Sequence, residues 1–165
     1  RYFHFTATQR REAALPQTKA LPAAKCALLA GAVPRQGNTK ELVSHVRRGW
    51  ERNEQRTREE VAALGEIAEN AADQLSIPDA AAQAEALGTL ANAAHRRLQS
   101  LGLSTESLDR ALALGREHGA TGGKLSGAGG GGAFYLLFRN ASEAQEALQA
   151  LQRRLAAELT TAFLV

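Results

Sequence analysis

The chain has 165 residues, 44% hydrophobic and 22% charged, with a net charge of +3. These values describe a globular domain large enough to bury its own core and exclude a disordered tail. No apolar run approaches the roughly twenty residues that a membrane-spanning helix needs. Aromatics make up only 5%, and arginine pairs such as Arg47-Arg48 and Arg96-Arg97 stand beside acidic residues. The stacking platforms and one-sided basic stripe of a nucleic-acid surface are therefore not expected. A single cysteine, Cys26, cannot close an internal disulfide, and Arg1–Phe5 lacks signal-peptide architecture, which together fit a reducing cytoplasm. The absence of methionine and the start on Arg1 inside a β-prone stretch predict a piece of a longer protein.

Tyr2 to Ala7 reads as a short strand or hairpin arm, and Gln9 to Pro22 as a proline-punctuated connection. Cys26 to Val33 is an apolar run of buried-strand length, ended by Pro34 and a turn over Arg35–Asn38. Thr39 is placed as the cap of a helix running to about Arg56, with Leu42, Val43, Val46 and Trp50 on one face. A second helix carries Val61, Leu64, Ala68, Ala71 and Leu75 at helical spacing. Pro78 blocks its continuation, and Asp79 caps a third helix that Gly102 stops. Ser104 is placed as the cap of a fourth helix ending at His118-Gly119. A glycine-rich loop follows, then a strand over Ala133–Arg139. Asn140 and Glu143 form a capping-box-like start to a last helix, and Leu159–Val165 closes as a strand. The order predicts an α+β fold, a small antiparallel sheet with helices packed on one face.

The stretch Gly119–Phe138, GATGGKLSGAGGGGAFYLLF, is the centre of the chain's chemistry. A run of glycines can take φ > 0 and present bare backbone, and successive N–H groups there can converge on an anion. The apolar strand that follows anchors the loop in a core, which argues against a free linker. Gly127, Gly129 and Gly132 formally match GxGxxG, but a dinucleotide fingerprint follows a strand and opens a helix, and this run opens a strand. Gly123-Lys124 resembles the end of a P-loop, yet Leu125 stands where Ser or Thr is required and His118 where the first glycine should be. Neither motif holds.

Lys124-Leu125-Ser126-Gly127-Ala128-Gly129-Gly130-Gly131-Gly132 resembles the third signature motif of the GHMP kinases, with Ser126 where Thr is common. Two further stretches resemble the mevalonate kinase branch of that family. Val33–Val43 is similar to VPRxTKxLV, with one or two extra residues before Thr39, and Leu101–Asp109 is similar to LGVSxxxLD. Asn92, His95 and Leu98 match an NxxHxxL helix. The resemblance implies a ferredoxin-like C-terminal kinase domain over residues 21–165, with residues 1–20 a connecting strand or linker from a preceding N-terminal kinase domain. It implies ATP and Mg2+ as cofactors, bound mainly by that N-terminal half, and mevalonate as the phosphoryl acceptor. No phosphate loop of the PxxxGLGSS kind is present, and Asp73, Asp79 and Asp109 sit in helix or cap contexts. Catalytic and metal-binding residues are therefore expected outside this chain, and the chain alone is expected to be inactive.

By the same resemblance Ser126, Gly127, Ala128, Gly129, Gly130 and Gly131 lie beside the transferred phosphate, where amides and the Ser126 hydroxyl act as fixed dipoles. Ser126 can equally serve the backbone at a strand end. Lys124 either contributes charge or snorkels at a strand edge, and Thr39 either lines the acceptor pocket or caps a helix. His95 reads as a packed or exposed helix histidine rather than a ligand, and His118 as a helix-terminal one. Cys26 reads as an inert core thiol, no zinc-ligand spacing is present, and Asn140-Ala141-Ser142 is a cap rather than a glycosylation site. The alternatives are another GHMP kinase such as phosphomevalonate kinase, a stand-alone phosphometabolite-binding module, or a homodimerising lobe that uses apolar helix faces.

Overall fold

Alternation of side chains about the pleat decides which residues face the core. The computed structural model describes residues 2–4 and 17–165. Its strands are Tyr2–His4 (β1), Gln17–Lys19 (β2), Ala27–Val33 (β3), Gly122–Leu125 (β4), Gly132–Phe138 (β5) and Thr161–Leu164 (β6). Its helices are Thr39–Glu51 (α1), Gln55–Gln74 (α2), Ala80–Ser100 (α3), Glu106–Glu117 (α4) and Ala141–Arg154 (α5). β1 and β2 pair antiparallel as a separate ribbon, with Phe3 opposite Thr18. The other four strands form one antiparallel sheet in the order β4-β5-β3-β6. Its strand order is the ferredoxin-like arrangement expected from the sequence.

The close-packed core lies on one face of this sheet. Leu29 and Val33 of β3, Leu125 of β4, and Phe134, Leu136 and Phe138 of β5 point to that face and are buried. Leu108, Ala111 and Leu112 of α4 and Ala144, Ala147 and Leu151 of α5 cover them. Burying each of the large side chains stabilises the fold by about 1.5–3 kcal/mol. α3 is anchored differently, through glycine. A Cβ on Gly122 would fall 2.0 Å from the Gly88 carbonyl oxygen, so helix and edge strand touch backbone to backbone.

Several sequence expectations need correction. Gln17–Lys19 is a strand rather than part of a connection, because pairing with β1 and not its own composition defines it. Phe5–Ala7 of the first predicted strand lie outside the described residues. α1 ends at Glu51, where Asn53 takes φ 60° in the turn to α2. The cap of α1 is Asn38, whose Oδ1 accepts from the Lys40 amide at 2.9 Å, and Thr39 is the first helical residue. The cap of α4 is Thr105 rather than Ser104. Asp79 and Asn140 do cap their helices, accepting from Ala82 and Glu143 amides at 2.7 and 3.0 Å. Gly122–Leu125 is a strand, which the sequence reading had included in the loop.

Candidate phosphate-binding site

The glycine loop, residues 126–131, joins β4 to β5 as the turn of a hairpin. Its two halves differ. Ser126 and Gly127 are exposed and Ala128 is half-buried, whereas Gly129–Gly132 are buried. The buried half is fixed to two neighbouring connections. Gly130 donates to the Leu103 carbonyl at 2.9 Å, and its own carbonyl accepts from the Gln36 and Gly37 amides at 2.7 and 3.2 Å. A Cβ on Gly129 would lie 2.1 Å from the Leu103 oxygen, and one on Gly131 would lie 2.2 Å from the Pro34 oxygen. Both glycines also have positive φ, 86° and 91°. These positions are glycine because backbone approaches backbone and the conformation is left-handed.

The outer turn of the loop, from Ser126 to the buried Gly129, is left with free donors among the described residues. The amides of Gly127, Ala128 and Gly129 have no backbone acceptor among the described residues, while Ser126 donates to Ala133 at 2.8 Å. Successive unpaired amides held on a fixed base can converge on an anion. Arg35 adds charge. Its guanidinium lies against Gly132, within 3.3 Å of where a Cβ would stand, and its Nη1 donates to the Thr39 hydroxyl at 2.9 Å. Arg35 sits inside the VPR-like stretch, but the sequence pattern alone does not mark it as a site residue. Thr39 is exposed at the start of α1, on the same side of the molecule as Arg35.

Lys124 is directed elsewhere. Its Nζ donates to the Leu125 carbonyl at 2.7 Å and lies 5.3 Å from the centre of the Tyr135 ring, on the sheet face opposite the core. Of the predicted loop residues, the structure holds Ser126 to Gly131 in one hairpin turn, while the Lys124 ammonium turns to the Leu125 carbonyl and the Tyr135 ring. Ala128 also borders an apolar groove of about 540 Å³ lined by Leu42, Val46, Trp50, Val61 and Leu103.

A polar network holds the base of the hairpin. His95, only 5% exposed, accepts at Nδ1 from the Leu125 amide at 3.4 Å and meets Asp109 Oδ1 through Nε2 at 2.9 Å. A backbone N–H can only donate, so Nδ1 is unprotonated and Nε2 carries the hydrogen given to Asp109. Ser104 donates to the same carboxylate oxygen at 2.6 Å. Burial pulls the His95 pKa below the ordinary histidine range against the pull of Asp109. Burial also pushes Asp109 upward, but hydrogen bonds from Ser104, Gln99 and His95 outweigh it and leave Asp109 below the usual carboxylate range. His95 is thus a packed, positioning residue, the packed one of the two alternatives that its sequence context leaves open. The network joins the LGxS-like stretch, the NxxHxxL-like helix and the strand leading into the glycine loop.

Among the described residues, no three His, Cys, Asp or Glu side chains stand close enough to share a metal ion, and no helix is long and apolar enough to cross a membrane. The groups beside the loop are hydroxyls, amides and a guanidinium. They suit phosphate, but they do not suit Mg2+, which is held by carboxylates and water.

A ferredoxin-like sheet with a glycine-run hairpin clamped between these two connections defines the C-terminal domain of a GHMP kinase, and residues 76–157 match the family described as GHMP kinases C terminal. Among the relatives it resembles are mevalonate kinases. The chain is 37% identical over 120 residues to the mevalonate kinase of Thermococcus sibiricus, a match covering 72% of this chain and 36% of that protein. The mevalonate kinase of Methanococcus jannaschii superposes with a TM-score of 0.60 at 29% identity, over 86% of this chain and 39% of that one. L. major mevalonate kinase, solved with R-mevalonate, has the same fold, with a TM-score of 0.78 at 20% identity over 92% of this chain and 45% of that one. The chain therefore spans well under half the length of the relatives it matches, and it aligns with a C-terminal lobe.

Proposed function

We propose that this chain is the C-terminal lobe of an ATP-dependent small-molecule kinase that phosphorylates the primary hydroxyl of mevalonate in isoprenoid precursor synthesis in the cytoplasm. Residues 21–165 form the lobe, residues 1–20 lead in from an N-terminal kinase domain, and that domain holds most of the ATP and Mg2+ contacts. The observation that carries the reading is the turn Ser126–Gly129, exposed at Ser126 and Gly127, with free amides on a base clamped by the two other stretches that resemble mevalonate kinases. In the proposed arrangement the amides of Gly127, Ala128 and Gly129 and the hydroxyl of Ser126 face the transferred phosphoryl group. Arg35 supplies positive charge beside them, and the buried Gly130 and Gly131 keep the loop in shape. Thr39 lies at the acceptor side. Lys124, tied to the Leu125 carbonyl, is given no phosphate contact.

Phosphoryl transfer depends on positioning and on neutralising charge spread over the equatorial oxygens. Preformed dipoles serve that purpose because they need no rearrangement as charge develops. The test joins this chain to its N-terminal lobe and measures ADP release with mevalonate and with phosphomevalonate. Turnover with mevalonate is expected, and Ser126→Ala is expected to lower kcat by about 100- to 1,000-fold, on the order of one oxyanion donor. Turnover with phosphomevalonate alone would move the assignment to that kinase. A Ser126→Ala variant with unchanged kcat would remove the hydroxyl from the site. Tight binding of a phosphorylated metabolite by the isolated chain, without turnover in the joined protein, would favour a binding module.

A further inference from the structure

The face of the sheet opposite the core is only loosely covered. Leu28 and Leu137 project from it towards Leu64 of α2 and Leu87 and Leu90 of α3, and the two layers leave a cavity of about 350 Å³ between them. Small-molecule pockets run from roughly 300 to 1,000 Å³, so the space is adequate for a compact ligand. The walls are almost wholly apolar, with one exception at the floor.

That exception is Lys124 beside Tyr135, both of which line the cavity. The Lys124 ammonium donates to the Leu125 carbonyl and lies over the Tyr135 ring, but no carboxylate pairs with it among the described residues. An ammonium has three donors, so two remain without an acceptor among the described residues. The walls pull its pKa below the usual lysine range by denying the charge water, and they raise that of the Tyr135 phenol for the same reason. A lone cation in an apolar chamber calls for a counter-charge, and hydrocarbon walls call for a hydrocarbon. A neutral ligand would leave the ammonium uncompensated, and a cationic one would be repelled.

We propose that this cavity binds a small amphipathic anion, a carboxylate on a medium-length hydrocarbon chain. Its head rests on Lys124 and Tyr135, and its tail lies between the sheet and the α2–α3 pair. The site is separate from the glycine loop and does not depend on the phosphate reading.

The test titrates the whole chain with decanoate, decanol and decylamine below their micelle concentrations, following methyl and amide NMR shifts. Decanoate is expected to bind saturably, to shift the methyls of Leu28, Leu87 and Leu137, and to bind at least about tenfold more tightly than either analogue, as one charge contact requires. Lys124→Met, which keeps the hydrocarbon stem, is expected to abolish that preference while leaving decanol binding unchanged. Decanoate binding no better than decylamine, shifts centred instead on Val43 and Trp50, or no saturation at all would overturn the proposal. The wild-type comparison decides the question even if Lys124→Met fails to fold. An unchanged preference in a folded Lys124→Met variant would remove Lys124 from the site.

Discussion

The amide of Leu125 donates to Nδ1 of His95 across 3.4 Å, so the strand that enters the glycine loop is fixed by one neutral imidazole tautomer. Protonating His95 would place a second hydrogen against the Leu125 amide. Burial already disfavours that form and lowers the pKa. The unfolded chain, with a histidine pKa near about 6.5, therefore takes up this proton at a higher pH than the folded chain. The contribution to stability is complete above about pH 6.5 and is lost as pH falls through that value towards the folded pKa. Asp109, whose folded pKa is also lowered, adds a second loss below the ordinary carboxylate range. Urea midpoints measured from pH 7.5 down to pH 5 should fall, with His95 adding a slope of at most about 1.4 kcal/mol per pH unit. His95→Gln should flatten that segment. An unchanged slope in the variant would show that another group titrates.

The glycines of the loop should separate into two classes. Gly129→Ala and Gly131→Ala drive a Cβ into the carbonyl oxygens of Leu103 and Pro34 at 2.1 and 2.2 Å, where backbone cannot yield. Each should cost about 3 kcal/mol or more, beyond ordinary overpacking. Gly127 has a comparable φ of 88° but nothing within 4 Å. Gly127→Ala should cost only the strain of the left-handed backbone, about 1–2 kcal/mol. Thermal or urea unfolding of the three variants checks the order. Equal losses at all three positions would mean that the buried and exposed halves are not distinct.

Features decided within one turn of chain were legible before the structure. Asp79 and Asn140 are flanked by residues with no competing side chain, so their capping roles could be read directly. At Asn38-Thr39 and at Ser104-Thr105, two capping residues stand side by side, and only the path of the incoming chain selects Asn38 and Thr105. β4 was missed because Gly122-Gly123 has no strand propensity. It is a strand because it pairs with β5, and the missing side chains let α3 close on Gly122 and let Leu136 and Leu112 pack against Gly123. Arg35 reaches Gly132, and His95 meets Asp109 and Leu125, only through the folding of distant segments. Periodicity carries no trace of such contacts.

The capping correction can be measured. Asn38 Oδ1 accepts from the Lys40 amide, so Asn38→Ala should cost about 1 kcal/mol. Thr39 is exposed and holds only the Arg35 guanidinium, so Thr39→Ala should stay within about 0.5 kcal/mol of the wild type. A larger loss at Thr39 than at Asn38 in urea unfolding would restore Thr39 as the cap.

Two helical glycines offer a matched pair in which local propensity and packing compete. Alanine is favoured over glycine in a helix by roughly 1 kcal/mol. At Gly65 of α2 nothing lies within 4 Å of the new Cβ, so Gly65→Ala should gain about that amount. At Gly88 of α3 the Cβ would stand 2.4 Å from Thr121 Oγ1 and 2.6 Å from the Thr121 carbonyl carbon. Thr121 cannot turn aside cheaply, because its hydroxyl donates to the Ala84 carbonyl at 2.8 Å and lies 3.1 Å from that of Leu137. Moving α3 outward would also open its contact with Gly122, where the strand leading to the glycine loop begins. Overpacking costs about 1–3 kcal/mol and exceeds the gain in propensity, so Gly88→Ala should destabilise while Gly65→Ala stabilises. Opposite shifts of the unfolding midpoint are expected. A stabilising Gly88→Ala would mean that α3 and β4 are not in backbone contact.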